Sequence, residues 1–169
     1  FLMIDVTSDE SMKAAAATLA SQVSALDVLV NNAGILLGGG KGINESMDEV
    51  KTTFEVNVYG VIRTTQAFVE LLKKSTAGRV VNLSSALGSL GITSNKDHPF
   101  YPMIYISYNA SKSALNAVTI GFAKALAEFK IKVNSADPGY TATDLNGNSG
   151  PQSVEVGAQS SVFLATLPE

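Results

Sequence analysis

The sequence predicts an α/β protein with a doubly wound parallel sheet, and three observations carry that expectation. Short apolar runs alternate with longer stretches of helical spacing, the pattern of strands joined by helical crossovers. The runs show little alternation of apolar and polar residues, as strands buried on both faces require. Each run closes on polar or glycine-bearing residues, at Asp5, Asn31 to Gly34, Ser84-Ser85 and Pro138-Gly139. In open parallel sheets ligands lie outside the carboxyl ends of the strands, so these clusters converge on one crevice.

Taken in order, Phe1 to Ile4 reads as a buried strand that stops at Asp5-Val6-Thr7. Ser8 is placed to cap a helix running to about Ala25, with Asp9 and Glu10 in the first turn, where negative charge complements the helix dipole. Asp27 to Val30 is a second strand, and Ile35 to Ile43, with Gly38-Gly39-Gly40, reads as a loop with a flexible edge. Ser46 caps a helical pattern through Met47, Val50 and Phe54; it is interrupted near Asn57 and resumes to Lys74. Gly78 to Leu83 is a third strand, followed by an irregular stretch to Ser107 that holds Pro99 and Pro102. From Tyr108 to about Lys130 the large apolar residues Leu115, Val118, Phe122, Leu126 and Phe129 recur at helical spacing. A second stripe of small residues, Ala110, Ala114, Ala117, Gly121 and Ala125, allows another element to approach closely. Ile131 to Ala136 is a fourth strand, and Val154 to Leu167 a last helix.

Composition narrows the functional classes. At 169 residues the chain has room for one domain, residues 1–169. With 46% hydrophobic and 16% charged residues it is neither disordered nor, lacking an apolar run of membrane length, a membrane-spanning chain. Twelve Lys+Arg against fifteen Asp+Glu give a net charge of −3, which offers no basic footprint for nucleic acid. No cysteine and a single histidine, His98, leave no metal centre to be read, and His98 among Asp97, Pro99 and Pro102 reads as a solvated loop residue. The start shows no basic, then apolar, export signal, which makes a cytoplasmic protein the expectation.

The sharpest local signal is Tyr108-Asn109-Ala110-Ser111-Lys112. Residues four apart stand one above the other on a helix face. A cation about 4 Å from a phenol favours the phenolate and lowers its pKa from the usual value near ~10. Taken alone, this spacing is also that of an ordinary surface pair.

At this pentapeptide the chain resembles the short-chain dehydrogenase/reductase family, whose hallmark is Tyr-x-x-x-Lys at the start of a long helix. Other motifs follow the family's order. Asp5-Val6 resembles its adenine-contacting segment, and Asn31-Asn32-Ala33-Gly34 its NNAG turn beside the cofactor ribose. Asn57 stands where the family has an active-site Asn in a helix interruption. Neighbours on a strand point to opposite sides, which leaves Ser84 and Ser85 both open; the family pattern favours Ser85 as the catalytic serine. Pro138-Gly139-Tyr140-Thr141-Ala142-Thr143 resembles the segment that holds the nicotinamide amide.

The resemblance implies a Rossmann-like fold and hydride transfer between NAD(P)(H) and a carbonyl or secondary alcohol. Tyr108 would be the acid/base, Ser85 would position the carbonyl oxygen, and Lys112 would stabilise phenolate and bind the nicotinamide ribose. Asn57 would hold a water, while Asn32, Ala33, Gly34, Pro138, Gly139, Thr141 and Thr143 would face the cofactor. The family's first βαβ unit, with its Gly-rich turn, has no counterpart before Phe1, nor its last strand after Leu167, so the residues are expected to be part of a longer chain. In the family's strand order, Phe1–Ile4 and Asp27–Val30 would then lie about 14 Å apart, three strand spacings.

The 22 residues between Ser85 and Tyr108 resemble the carbonyl-reductase branch, which leans toward NADP over NAD. Tyr101, Met103, Ile104 and Tyr105 in this stretch would line or cover a pocket completed by Ile35 to Lys41 and Asp144 onward. Its apolar and Gly-rich composition suits an uncharged carbonyl compound. A homodimer or homotetramer through the Asn57–Lys74 and Tyr108–Lys130 helices is expected by analogy. The alternative is a non-catalytic homologue or fragment serving as a binding or scaffold module; an epimerase or dehydratase fits the NNAG, Ser and Pro-Gly set less well.

Overall fold

A computed structural model describes residues 1–168. Its sheet has three parallel strands in the order β1 (Val28–Asn31), β2 (Arg79–Leu83) and β3 (Lys132–Ala136). The register sets Asn31 beside Asn82 and Asn82 beside Ser135, so the carboxyl ends of all three strands finish level.

Polar residues lock that register. Asn31 Nδ2 donates to Asn82 Oδ1 at 2.8 Å and to Thr65 Oγ1 at 3.2 Å. Asn82 Nδ2 donates in turn to Thr119 Oγ1 at 2.9 Å, which also accepts from Ser135 Oγ at 3.1 Å. Asn31, Asn82, Thr65 and Thr119 are all buried, so each of these bonds offsets a desolvation cost.

Helices α1 (Asp9–Ala20), α3 (Val61–Leu72) and α5 (Ile106–Ala125) build the core. Met12 and Ala15 of α1 meet Phe68 and Leu71 of α3. Leu72 packs with Val80, Leu126, Ile131 and Val133. Strand side chains alternate between faces, and Val30 and Leu83 turn the other way, toward Ala158 and Ser161 of α6 (Val154–Ala165). No helix among the described residues is long and apolar enough to cross a membrane.

Several local expectations hold. Ser8 Oγ accepts the Ser11 N–H at 3.2 Å. Ser46 opens α2 (Met47–Phe54) with a reciprocal cap: its Oγ accepts the Glu49 N–H, and the Glu49 carboxylate accepts the Ser46 N–H at 2.8 Å. The interruption near Asn57 is a stretch of π-helix, Glu55–Gly60, between α2 and α3. Such turns cluster at functional sites because they re-aim a side chain without ending the helix. A Cβ on Gly60 would lie 3.0 Å from Val6 Cγ2, so the Asp5–Thr7 segment packs against bare backbone there. One turn on, the Arg63 guanidinium donates to the Val6 carbonyl at 2.6 Å, to Glu55 at 2.9 Å and to Asp9.

Other expectations need correction. Phe1–Ile4 is not a strand: it pairs with nothing and its side chains are exposed. β1 bonds to β2 alone, so the first residues have no ladder partner to hold them. The sheet is not covered on both faces throughout: Val28 and Val30 of β1 stay exposed. The first helix ends at Ala20, not near Ala25. Helix α5 begins at Ile106, before Tyr108, because the Glu45 carboxylate accepts the Ser107 N–H at 2.8 Å. It ends at Ala125, followed by a 3-10 turn, Ala127–Phe129, and the left-handed Lys130 (φ +57°) that feeds β3.

The small stripe on α5 meets no partner along most of its length; Ala110, Ala117, Gly121 and Ala125 are exposed. Gly38-Gly39-Gly40 is a turn of positive φ, with Gly38 against Glu45 and Gly40 against Tyr105. His98 is half-buried: it stacks edge-on against Phe100 at 5.1 Å, and its Nδ1 accepts the Phe100 N–H. The irregular stretch contains a 3-10 turn, Ala86–Gly88, and a single helical turn, α4 (Leu90–Thr93).

Candidate active site

A cavity of about 690 Å³ opens at the carboxyl ends of the strands. The sheet brings Asn32, Gly34, Ser85, Tyr108, Lys112, Pro138, Gly139, Thr141 and Thr143 to its walls. Leu36, Leu87, Phe100, Met103, Tyr105 and Tyr140 supply its apolar side. Of the loop residues expected over the pocket, Met103 and Tyr105 line it, while Tyr101 and Ile104 face solvent.

Tyr108 and Lys112 are 7% and 4% exposed, so this is no surface pair. The Lys112 ammonium lies 5.6 Å from the centre of the Tyr108 ring and donates to the Leu83 carbonyl at 2.6 Å. Burial pushes the Lys112 pKa down to about 8. The Tyr108 phenol moves opposite to the expected direction. Burial raises it, a hydrogen bond from Ser85 pulls it down in part, and the negative charge of Asp137 raises it further. Lys112 stands over the ring face and is engaged by Leu83, so in this arrangement its charge does not offset the desolvation of a phenolate.

The two serines separate. Ser84 is buried and donates to Asn116 Oδ1 at 2.7 Å. Ser85 is the one beside the phenol, at the end of β2, with its Oγ accepting the Leu87 N–H at 3.2 Å. The turn that follows docks on α5 through Gly88. A Cβ there would come within 2.8–2.9 Å of the Lys112 backbone, and the Gly88 carbonyl accepts from Ser113 Oγ at 2.9 Å. Gly88→Ala is therefore expected to push the Ser85 turn off α5 and cost about 1–3 kcal/mol, the usual price of overpacking. Urea unfolding checks this, and an unchanged midpoint would mean that the turn yields freely.

Asn57 is fully buried behind this wall and does not line the cavity. Its Oδ1 accepts the Ile35 N–H at 2.8 Å; its Nδ2 donates to the Ile35 carbonyl at 2.9 Å and to Ser111 Oγ at 3.1 Å. Both amide protons are taken by protein, so this side chain ties Ile35, at the end of the Asn31–Gly34 turn, to α5. Asp5, Val6 and Ala33 also lie outside the cavity lining. The Asp5 carboxylate accepts from the Thr7 hydroxyl and N–H at 2.7 and 2.9 Å, which lowers its pKa.

At β3 the chain turns through Pro138-Gly139, where φ of +70° suits glycine. Asp137 Oδ1 accepts the Gly139 N–H at 3.0 Å. Thr141 is less available than expected. Its buried hydroxyl donates to the Pro138 carbonyl at 3.0 Å and accepts from Gln152 Nε2 at 2.8 Å, which leaves it little capacity for a ligand. The Thr143 N–H donates to Asn146 Oδ1 at 3.3 Å, and the Asn146 N–H donates to the Thr143 carbonyl at 3.2 Å. Sequence reasoning missed Gln152, Asn146, Glu45 and Asp137. The Thr-x-x-Asn spacing could have shown Asn146; Gln152 and Glu45 act on distant residues and leave no local signal.

The described residues fit half of a dinucleotide. The bare Gly34 leaves room beside Lys112, whose Nζ would be 3.6 Å from a Cβ there, and the walls suit a ribose and a flat ring. Among them no glycine-rich turn runs directly from a strand into an α-helix, the arrangement that cradles a diphosphate.

A family profile described as short chain dehydrogenase matches residues 1–153. This chain belongs to the short chain dehydrogenase family. Within it, the chain is 36% identical over 170 residues to short-chain dehydrogenase anuI of Penicillium roqueforti, with 98% of this chain and 67% of that one covered. It is 32% identical over 218 residues to (+)-neomenthol dehydrogenase of Arabidopsis thaliana, covering 99% of this chain and 73% of that one. Among solved family structures, NADPH-bound carbonyl reductase from chicken fatty liver superposes with a TM-score of 0.86 at 28% identity, over 99% of this chain and 70% of that one. The three-stranded arrangement is thus a portion of the family's Rossmann-like sheet.

Proposed function

We propose that the chain carries the substrate side of an NADP(H)-dependent oxidoreductase that interconverts an uncharged, largely apolar ketone and its secondary alcohol. The observation that carries this reading is the buried Tyr108–Lys112 pair, with Ser85 beside the phenol, at the mouth of one mostly apolar cavity. A reduced nicotinamide supplies the hydride when bound. Tyr108 Oη donates a proton to the carbonyl oxygen, and in the reverse direction takes it from the alcohol. Ser85 Oγ hydrogen-bonds the same oxygen and fixes its place. Lys112 bonds the ribose hydroxyls, and Asn57 keeps the Asn31–Gly34 turn in register with α5. Asn32, Gly34, Pro138, Gly139 and Thr143 face the nicotinamide half of the cofactor.

Two relatives support the choice of cofactor and substrate class: the chicken carbonyl reductase holds NADPH, and the Arabidopsis relative is named a (+)-neomenthol dehydrogenase. The exposed face of α5, with Ile106, Ala110, Ala117, Ile120 and Gly121, suits a homodimer or homotetramer.

The test follows absorbance of NADPH, and separately NADH, with a panel of cyclic ketones including menthone and cyclopentanone. Turnover with NADPH exceeding that with NADH by tenfold or more is expected. The second reading is a non-catalytic binding module. It predicts no turnover and no thermal protection by either dinucleotide, since a ligand that binds only the folded state must stabilise it.

A further inference from the structure

The cavity has an uneven distribution of charge. Among its lining residues only Lys112 and Asp137 carry a formal charge. Lys112 is 4% exposed, and its ammonium is already engaged by the Leu83 carbonyl. Asp137 is exposed at the carboxyl end of β3, with one oxygen held by the Gly139 N–H at 3.0 Å. The Pro138-Gly139 turn therefore presents a fixed carboxylate to a pocket whose remaining walls are largely apolar.

We infer that Asp137 is a specificity-determining residue that filters substrates by charge, admitting neutral and ammonium-bearing carbonyl compounds and excluding carboxylates. The inference rests on the proposed reading of this cavity as the substrate site. A carbonyl oxygen that reaches Tyr108 and Ser85 leaves the rest of its skeleton in the same cavity as this anion. A unit charge at a separation of about 6 Å, at an effective dielectric of about 40, changes binding by about tenfold. Desolvation makes the exclusion of an anion steeper still, because no free cation on the walls compensates it.

The same charge acts on Tyr108. The groups facing its phenol are the Ser85 hydroxyl, the Lys112 ammonium and the Asp137 carboxylate, with the Tyr105 and Tyr140 phenols on the cavity walls and Glu45 capping the start of α5. Of these, Asp137 opposes loss of the phenol proton. Removing its charge brings the rise of alcohol oxidation with pH to lower pH, because phenolate then forms more easily.

The test uses Asp137→Asn, whose amide oxygen still accepts the Gly139 N–H and so preserves the turn. The probes are three ketones of one skeleton: acetophenone, 4-(aminomethyl)acetophenone and 4-acetylbenzoate. Binding to the protein is measured by calorimetry with and without NADPH, and turnover is measured separately. In the wild type the amine is expected to bind at least tenfold more tightly than the acid, and in Asp137→Asn this ratio falls by tenfold or more. A ratio that the substitution leaves within twofold overturns the inference, as does failure of all three to bind. A changed binding ratio without turnover of any ketone supports the charge filter and sinks the oxidoreductase reading instead.

Discussion

Tyr108→Phe is expected to lower ketone turnover by about a thousandfold, within the range of loss seen when a positioned general acid is removed. The fold should not notice. The ring is buried and Phe fills the same volume, and Lys112 still stands 5.6 Å from its centre. The hydroxyl lost is one whose ionisation burial already opposes. The urea midpoint should therefore stay within the equivalent of about 1 kcal/mol, less than the cost of deleting packed core volume. Steady-state kinetics beside unfolding curves separate the two effects. Activity remaining within tenfold of wild type would remove Tyr108 as the proton donor, whatever the identity of the substrate.

The second large effect has opposite signs for stability and activity. Lys112→Met should abolish turnover yet make the ligand-free protein more stable at pH 7. The ammonium is buried, and its folded pKa of about 8 lies well below the usual lysine value of 10.5. Between these two values the unfolded chain binds the proton that the fold has released, so stability rises with pH across that window. Below about pH 8 the fold bears the whole cost of burying the charge, about 3 kcal/mol on the conversion from pKa to free energy. Methionine removes this cost and loses the bond to Leu83, itself about 1 kcal/mol. The net gain of about 2 kcal/mol raises Tm by roughly 4–8 °C for a chain of this size. Scans from pH 6 to 11 should show the wild type closing on the variant as pH rises. A variant less stable than wild type at pH 7 would mean that the ammonium helps the fold even without ligand.

How much of this was legible in the sequence depended on the reach of each interaction. Ser8, Ser46 and Glu49 act within one turn of helix, and their caps could be read directly. The break at Asn57 and the Tyr108–Lys112 spacing were equally local, and both fell where expected. The start of α5 was misplaced because its cap comes from Glu45, 62 residues earlier in the chain. Thr141 looked free because Gln152, which binds it, is recruited by a loop closure that no periodicity records. Phe1–Ile4 had strand composition but no ladder to join. The phenol pKa departs from the expected direction for a different reason: spacing places Lys112 near Tyr108, but the tertiary fold sets the ammonium over the ring face and binds it to a carbonyl.

The asparagine chain across the sheet bears on the geometry of catalysis as well as on the fold. Val28, Val30, Val80, Val81 and Val133 are nearly interchangeable, so apolar burial alone would tolerate one strand sliding two residues along its neighbour with its faces unchanged. Such a slide would carry one strand end about 6.6 Å past the next. Asn32, Ser85 and Pro138 would then no longer surround a common point. Asn31 and Asn82 forbid it, because a shifted strand leaves their buried amides unmatched, at about 1–3 kcal/mol for each group. The alignment of the reacting residues is thus encoded some distance beneath them, by two side chains that take no part in the chemistry.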